Sequence, residues 1–139
     1  MKTAIPIFVA ALTLTALPVR AGETDAVAKA QTAAKTWLAL TDAGKYDLSW
    51  DSAASLFKSS ITQSDWVKAV RSVRSPLGIL KSRTVKSATF TRTLPGAPDG
   101  EYVVIQFNTQ FANKASAVET VTPMHEKDGS WRVAGYYIK

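Results

Sequence analysis

Hydrophobic positions in the first half of this chain recur at spacings of three and four, and in the second half they recur at every second residue. Val27, Ala30, Ala34, Trp37, Leu38 and Thr41 fall on one side of a helical wheel, with Lys29 and Lys35 elsewhere, so the spacing predicts a first helix. Thr24 or Asp25 can cap its start. Asp42-Ala43-Gly44 stops it, with glycine supplying a left-handed turn. A second helix is predicted from about Asp47, with Tyr46, Trp50, Ala53, Ala54 and Phe57 as its stripe. A third follows Ser64, with Trp66, Ala69, Val70 and Val73 on one side and Lys68, Arg71 and Arg74 on the other. Thr62 with Asp65 three residues on approximates a capping box. Ser75-Pro76-Leu77-Gly78 is expected to end this helix, because proline disfavours a helical residue before it and lacks a donor of its own.

After Gly78 the period changes to two. Leu80 to Leu94 is rich in threonine, valine and serine and reads as a long strand. The turn cluster Pro95-Gly96-Ala97-Pro98-Asp99-Gly100 then reverses the chain. From Tyr102 to Phe111, Val103, Ile105, Phe107 and Phe111 face one way and Gln106, Asn108 and Gln110 the other. Ala117 to Glu126 is a third strand. Asp128-Gly129 is a two-residue hairpin signal, and Trp131 to Ile138 closes the meander. On this last strand Trp131, Val133 and Tyr137 are predicted on one face, with Arg132, Ala134, Tyr136 and Ile138 on the other. Gly135 marks a candidate bulge. Helices followed by hairpin-connected strands predict an α+β fold: three N-terminal helices packed on one face of a four-stranded antiparallel meander. A twisted sheet of this kind can wrap into a cone with a pocket at its mouth.

The start of the chain has a different pattern. Lys2, a run of apolar and small residues from Ala4 to Leu17, and Val19-Arg20-Ala21 form the three parts of a cleavable signal peptide. The apolar run of about 14 residues is short for a hydrocarbon layer of about 30 Å, which takes about 20. Export therefore fits better than a retained anchor or a buried core helix. The organisation expected is a signal peptide at residues 1–21 and one α+β domain at residues 22–139, located in the periplasm or secreted. Nothing later in the chain is long or apolar enough to span a membrane. The chain has no cysteine, which excludes disulfides, a thiol nucleophile, thiolate metal sites and lipoprotein anchoring.

Charge adds a second constraint. Between Lys58 and Arg92 stand eight basic residues, among them Arg71, Arg74 and Arg83, against the single acid Asp65. On an exported protein such a segment attracts an anionic small molecule, a cell-envelope polymer or a membrane surface. The alternative is a solvated helix face with lysines protecting strand edges. Nucleic acid does not suit the address.

The inventory of reactive groups is short. His125 is the one histidine, so no two-histidine metal site forms, and there is no phosphate loop or nucleophile elbow. No metal and no cofactor is expected. Glu119 lies inside the apolar strand Ala117–Thr122, pointing the same way as Val121. It is either a carboxylate at the mouth of the cone, paired with Arg74 or Arg83 and able to act as a general base, or a structural ion pair or exposed face residue. Trp37, Trp50, Trp66 and Trp131 occupy apolar stripes and read as core. Tyr102 and Tyr136 fall opposite the clearest core positions and are candidates for lining a pocket.

Several of these residues form a recognisable set. Asp42-Ala43-Gly44-Lys45-Tyr46 with Trp50, Trp66, Arg74-Ser75-Pro76-Leu77-Gly78, Arg83 and Leu94-Pro95-Gly96-Ala97-Pro98-Asp99-Gly100-Glu101-Tyr102 belong to it. So do Phe107, Phe111-Ala112-Asn113-Lys114, Glu119-Thr120-Val121 and Asp128-Gly129-Ser130-Trp131-Arg132-Val133-Ala134-Gly135-Tyr136. Together they resemble the bacterial family filed as domain of unknown function 4019. The resemblance implies an exported single-domain protein and carries no catalytic residues with it. The order of elements also resembles the nuclear-transport-factor-two-like, or cystatin-like, cone folds, which host enzymes, binders and dimerisation modules alike.

These observations together predict a non-enzymatic periplasmic binding domain in which Arg71, Arg74 and Arg83 attract an anionic group and Tyr102 and Tyr136 offer apolar contact. Neutralising Arg74 and Arg83 is then expected to abolish anion binding. Two alternatives are a small cone-fold hydrolase or isomerase with Glu119 as base, and a structural module that forms a homodimer through its sheet.

Overall fold

The computed structural model describes residues 21–139; all of the expected export segment but Ala21 lies outside them. Four helices precede four strands: α1 Ala21–Asp42, α2 Tyr46–Asp51, α3 Ser55–Ser60, α4 Gln63–Leu77, β1 Leu80–Thr91, β2 Tyr102–Phe111, β3 Lys114–His125 and β4 Trp131–Ile138. The strands form one antiparallel sheet in the order β1-β2-β3-β4. The α+β class and the meander are as the sequence predicts.

Several helix boundaries differ from expectation, the first being that Thr24 and Asp25, read as caps, lie inside α1. The predicted second helix splits into α2 and α3, because Ala54 adopts an extended conformation and gives its N–H to Val133 O of β4 at 2.8 Å. Ala53 and Ala54 are fully buried at this break, so tertiary contact replaces a helical hydrogen bond there. Helix α4 runs two residues past Ser75, carrying Pro76 in its last turn, so the one hydrogen bond proline cannot donate is lost at the helix end and not in its interior. It begins at Gln63, before the predicted start after Ser64, and its cap is as read, with the Thr62 hydroxyl accepting from Asp65 N at 3.2 Å.

The bulge signalled by Gly135 falls one residue earlier and changes which side chains face inward. Thr122 pairs with Gly135 and Pro123 with Val133, leaving Ala134 as the extra residue on β4. The alternation therefore slips by one, as a bulge requires. Val133 and Tyr136 both pack against the core, and Tyr137, expected beside Val133, is exposed instead. On β1 the extra residues are Lys81 and Lys86. Bulged lysines on an edge strand discourage pairing with another chain.

Alanines of α1 let Trp37 and Leu38 reach the sheet, where Phe57, Trp66, Val70, Val103, Ile105, Phe107, Val121 and Val133 close around them. Burying each large apolar side chain contributes about 1.5–3 kcal/mol. Trp37 meets Phe57 edge-on at 6.3 Å and Tyr136 at 5.2 Å, and Phe57 meets Trp66 at 4.8 Å. Ser49 satisfies two of the indoles: its carbonyl accepts from Trp37 Nε1 at 2.8 Å and its hydroxyl from Trp66 Nε1 at 2.9 Å. Half-buried Trp50 gives its indole N–H to Ile61 O. Among the described residues, no helix is long and apolar enough to cross a membrane.

Candidate functional site: a buried arginine–carboxylate cluster

Glu119 lies on the inner face of β3, two residues from Val121, and is completely buried. Its Oε1 accepts from Arg83 Nε at 2.7 Å and from Thr109 Oγ1 at 2.7 Å, and its Oε2 accepts from the Tyr136 hydroxyl. The slip at Ala134 turns Tyr136 inward to make that last bond. Arg83 stands opposite Thr109 in the β1–β2 register, so its guanidinium lies over β2 and reaches β3.

The other edge of Arg83 holds Asp42, the last residue of α1. Nη1 donates to Oδ2 at 2.8 Å and Nη2 to Oδ1 at 2.9 Å, a bidentate pair. Arg74, at the end of α4, donates from Nη2 to the same Oδ1 at 2.9 Å and from Nη1 to the Thr41 hydroxyl at 3.1 Å. Its guanidinium also lies over the Phe111 ring at 4.8 Å, and its Nε has no partner among the described residues. Two guanidiniums and two carboxylates thus neutralise one another where α1, α4 and all four strands meet.

Burial opposes ionisation of Asp42, but the hydrogen bonds and charges of Arg83 and Arg74 outweigh it and hold the carboxyl below its ordinary value. Burial likewise opposes the charge on Arg83. Its bonds to Asp42 and Glu119, with their charges, reverse that and make the guanidinium harder to deprotonate. The Tyr136 hydroxyl is pushed up, by burial first and then by the Glu119 charge and the bond to it.

Four of the six residues singled out from sequence therefore meet in one cluster: Arg74, Arg83, Glu119 and Tyr136. Arg71 does not join them; it is exposed on α4, 5.9 Å from the Tyr46 ring. Tyr102 is also elsewhere. It faces away from the core as the alternation predicts, but Gly100 packs on its ring and its hydroxyl donates to Pro98 O, so the turn cluster buries it. Three members were missed: Thr41, Asp42 and Thr109. Asp42 read as part of a helix stop. The signal for Thr109 was the gap it leaves among Ile105, Phe107 and Phe111 on an inward face.

No member of the buried cluster lines the five surface cavities described, whereas Tyr102, expected to line a pocket, is in the wall of one of them beside Leu56, Pro98 and His125. Among the described residues no group of three or more histidine, aspartate or glutamate side chains is placed to hold a metal ion. Outside the cluster, Lys68 and Arg71 on α4 and Lys81 and Lys86 on β1 are exposed. His125 sits at a sheet end, with Nδ1 2.8 Å from Glu101 Oε2 and its ring stacked on Trp131.

A family model described as a protein of unknown function, DUF4019, matches residues 33–136. The chain belongs to this family. The DUF4019 match spans every member of the buried cluster, from Thr41 to Tyr136. No curated protein and no solved structure matches the chain, so the analogy with cone folds has no structural neighbour behind it.

Proposed function

We propose that this DUF4019 protein is an exported, non-catalytic interaction domain that is drawn to anionic surfaces through the exposed basic side chains of α4 and β1. Export rests on the pattern of Met1–Ala21. The observation that carries the rest is the division of the basic segment by burial. Arg74 and Arg83 are matched by Asp42 and Glu119 inside the protein, whereas Lys68, Arg71, Lys81 and Lys86 are exposed with no carboxylate paired to them among the described residues. Solvent-facing charges of one sign attract an oppositely charged surface over about a Debye length, roughly 10 Å at 0.1 M salt. The partner is then a membrane or envelope polymer bearing phosphate or carboxylate.

Glu119 is structural in this proposal. It is completely buried and lines none of the five surface cavities, whereas a base must lie within reach of a substrate proton. The test is sedimentation with vesicles containing phosphatidylglycerol, compared with vesicles of phosphatidylcholine alone. Binding only to the anionic vesicles, lost in Lys68→Glu/Arg71→Glu and in Lys81→Glu/Lys86→Glu, is expected. Equal binding to both vesicle types, or no effect of either double substitution, contradicts the proposal.

A further inference from the structure

Trp131 differs from the other three tryptophans. Trp37, Trp50 and Trp66 each donate the indole N–H to a protein oxygen, while the Trp131 N–H has no acceptor among the described residues. Its ring is half-buried and pinned by His125, stacked at 5.1 Å with 18° between planes. Three adjoining depressions of about 220, 390 and 470 Å³ all include Trp131 in their walls. They run between α1 and the start of β4. Ala33 and Thr36 of α1 form one wall, and Ser130 and Arg132 the other.

The charges lining this groove cancel in sum, Glu23, Asp25 and Glu101 against Lys29, Arg92 and Arg132, and all but Glu23 stand in ion pairs. Lys29 faces Asp25 at 3.1 Å, Arg92 faces Glu101 at 3.2 Å, and Arg132 faces Asp128 at 3.6 Å. Such a lining offers donors and acceptors of both kinds with little net field, which disfavours an ion and suits a neutral, polyhydroxylated ligand. An aromatic ring beside small side chains supplies apolar contact, and a few polar groups fix orientation. A pyranose ring matches both demands, having a face of C–H groups and a rim of hydroxyls that accept from an indole N–H. We propose that the groove around Trp131 binds a neutral saccharide chain, with Trp131 as the stacking platform and indole donor. Thr36 is a hydroxyl partner along its length, and Thr32 and Ser130, whose own protons go to Ala28 O and Asp128 Oδ1, serve there as acceptors. The site is separate from the basic faces of α4 and β1 and does not depend on them.

The test titrates two uncharged sugars, fully N-acetylated chitohexaose and maltohexaose, into the uniformly ¹⁵N-labelled protein and follows the four indole N–H signals. The Trp131 signal is expected to move with at least one of these sugars while those of Trp37, Trp50 and Trp66 stay. Trp131→Phe, which keeps a stacking ring and removes the donor, should weaken binding about tenfold. Ala33→Gln, which crowds the groove from α1 and leaves Trp131 intact, should weaken it similarly without changing the thermal midpoint. A Trp131 signal unmoved by either sugar at about 10 mM, or undiminished binding in both variants, overturns the proposal. So does an equal shift produced by dextran sulfate, which would make the groove a polyanion site. Failure of the vesicle experiment leaves this outcome untouched, because its substitutions lie on α4 and β1.

Discussion

Arg83 on edge strand β1 and Glu119 on β3 are joined at 2.7 Å across the strand that lies between them. The same guanidinium grips Asp42 at the end of α1. One side chain therefore fixes the helix layer to two strands of the sheet. Buried pairs of this kind gain little over an apolar replacement of the whole set, but they are costly to break singly, since the partner left behind is a buried charge.

Replacing Arg83 by methionine strands Glu119 with two hydroxyl donors and leaves Asp42 with Arg74 alone. The unfolding free energy from urea titration should fall by about 3–5 kcal/mol. Adding Glu119→Gln to Arg83→Met should cost less than the sum of the two single changes, because the residues share one network. Additive losses contradict the coupling.

Acid should weaken the same cluster through Asp42. Its folded pKa lies below the ordinary 3.8, so the stability it contributes is present above that value and is lost as pH falls through the lower folded value. Urea midpoints measured downward from about pH 5 should drop in the wild type. In Asp42→Asn the midpoint should start lower and show a flatter acid limb.

Alkali acts through Tyr136. Its folded pKa is raised above the ordinary 10.0, so stability holds below that pH. Above it the unfolded chain releases a proton that the folded protein retains, and stability falls by up to about 1.4 kcal/mol per pH unit. Tyr136→Phe should remove this limb from the urea midpoints, while Tyr137→Phe, at an exposed position, should keep it.

Gly78 closes α4 with φ at 75° and lies against the β2–β3 hairpin, where an added Cβ would meet Ala112 Cβ and Asn113 Nδ2 at 3.1 Å each. Gly96 has a similar φ of 77° in open space. Alanine at Gly78 should cost about 2–3 kcal/mol by urea unfolding, against about 1 for Gly96→Ala. Equal costs would mean that the hairpin contact contributes nothing beyond backbone strain.

The strand order, the β1–β2 and β3–β4 turns and the α1 stripe were legible because their periods are long and their turn residues are distinctive, whereas β3 begins at Lys114, three residues before the start read at Ala117. The split between α2 and α3 was not, because Ala54 leaves the helix for a hydrogen bond to Val133, a partner far along the chain. At the cluster, Glu119 announced itself as a charge inside an apolar strand, with Arg74 and Arg83 as its candidate partners. Asp42 was hidden within a helix stop. Arg74 also stood on what the wheel read as the outer side of α4, yet it is buried beside Trp66 and Val70. Pattern reading separates apolar from charged positions, and it has no means of telling a charge turned to water from one turned to an opposite charge.

That distinction is what the functional proposal rests on, and the salt dependence of binding to phosphatidylglycerol vesicles tests it most directly. The slope of log affinity against log salt should be unchanged in Arg83→Met, assayed under conditions where it remains folded, and clearly shallower in Lys81→Gln/Lys86→Gln, which removes the charges without reversing them. Loss of binding in folded Arg83→Met, with the lysine variant unaffected, would contradict it and return the anion site to the interior cluster.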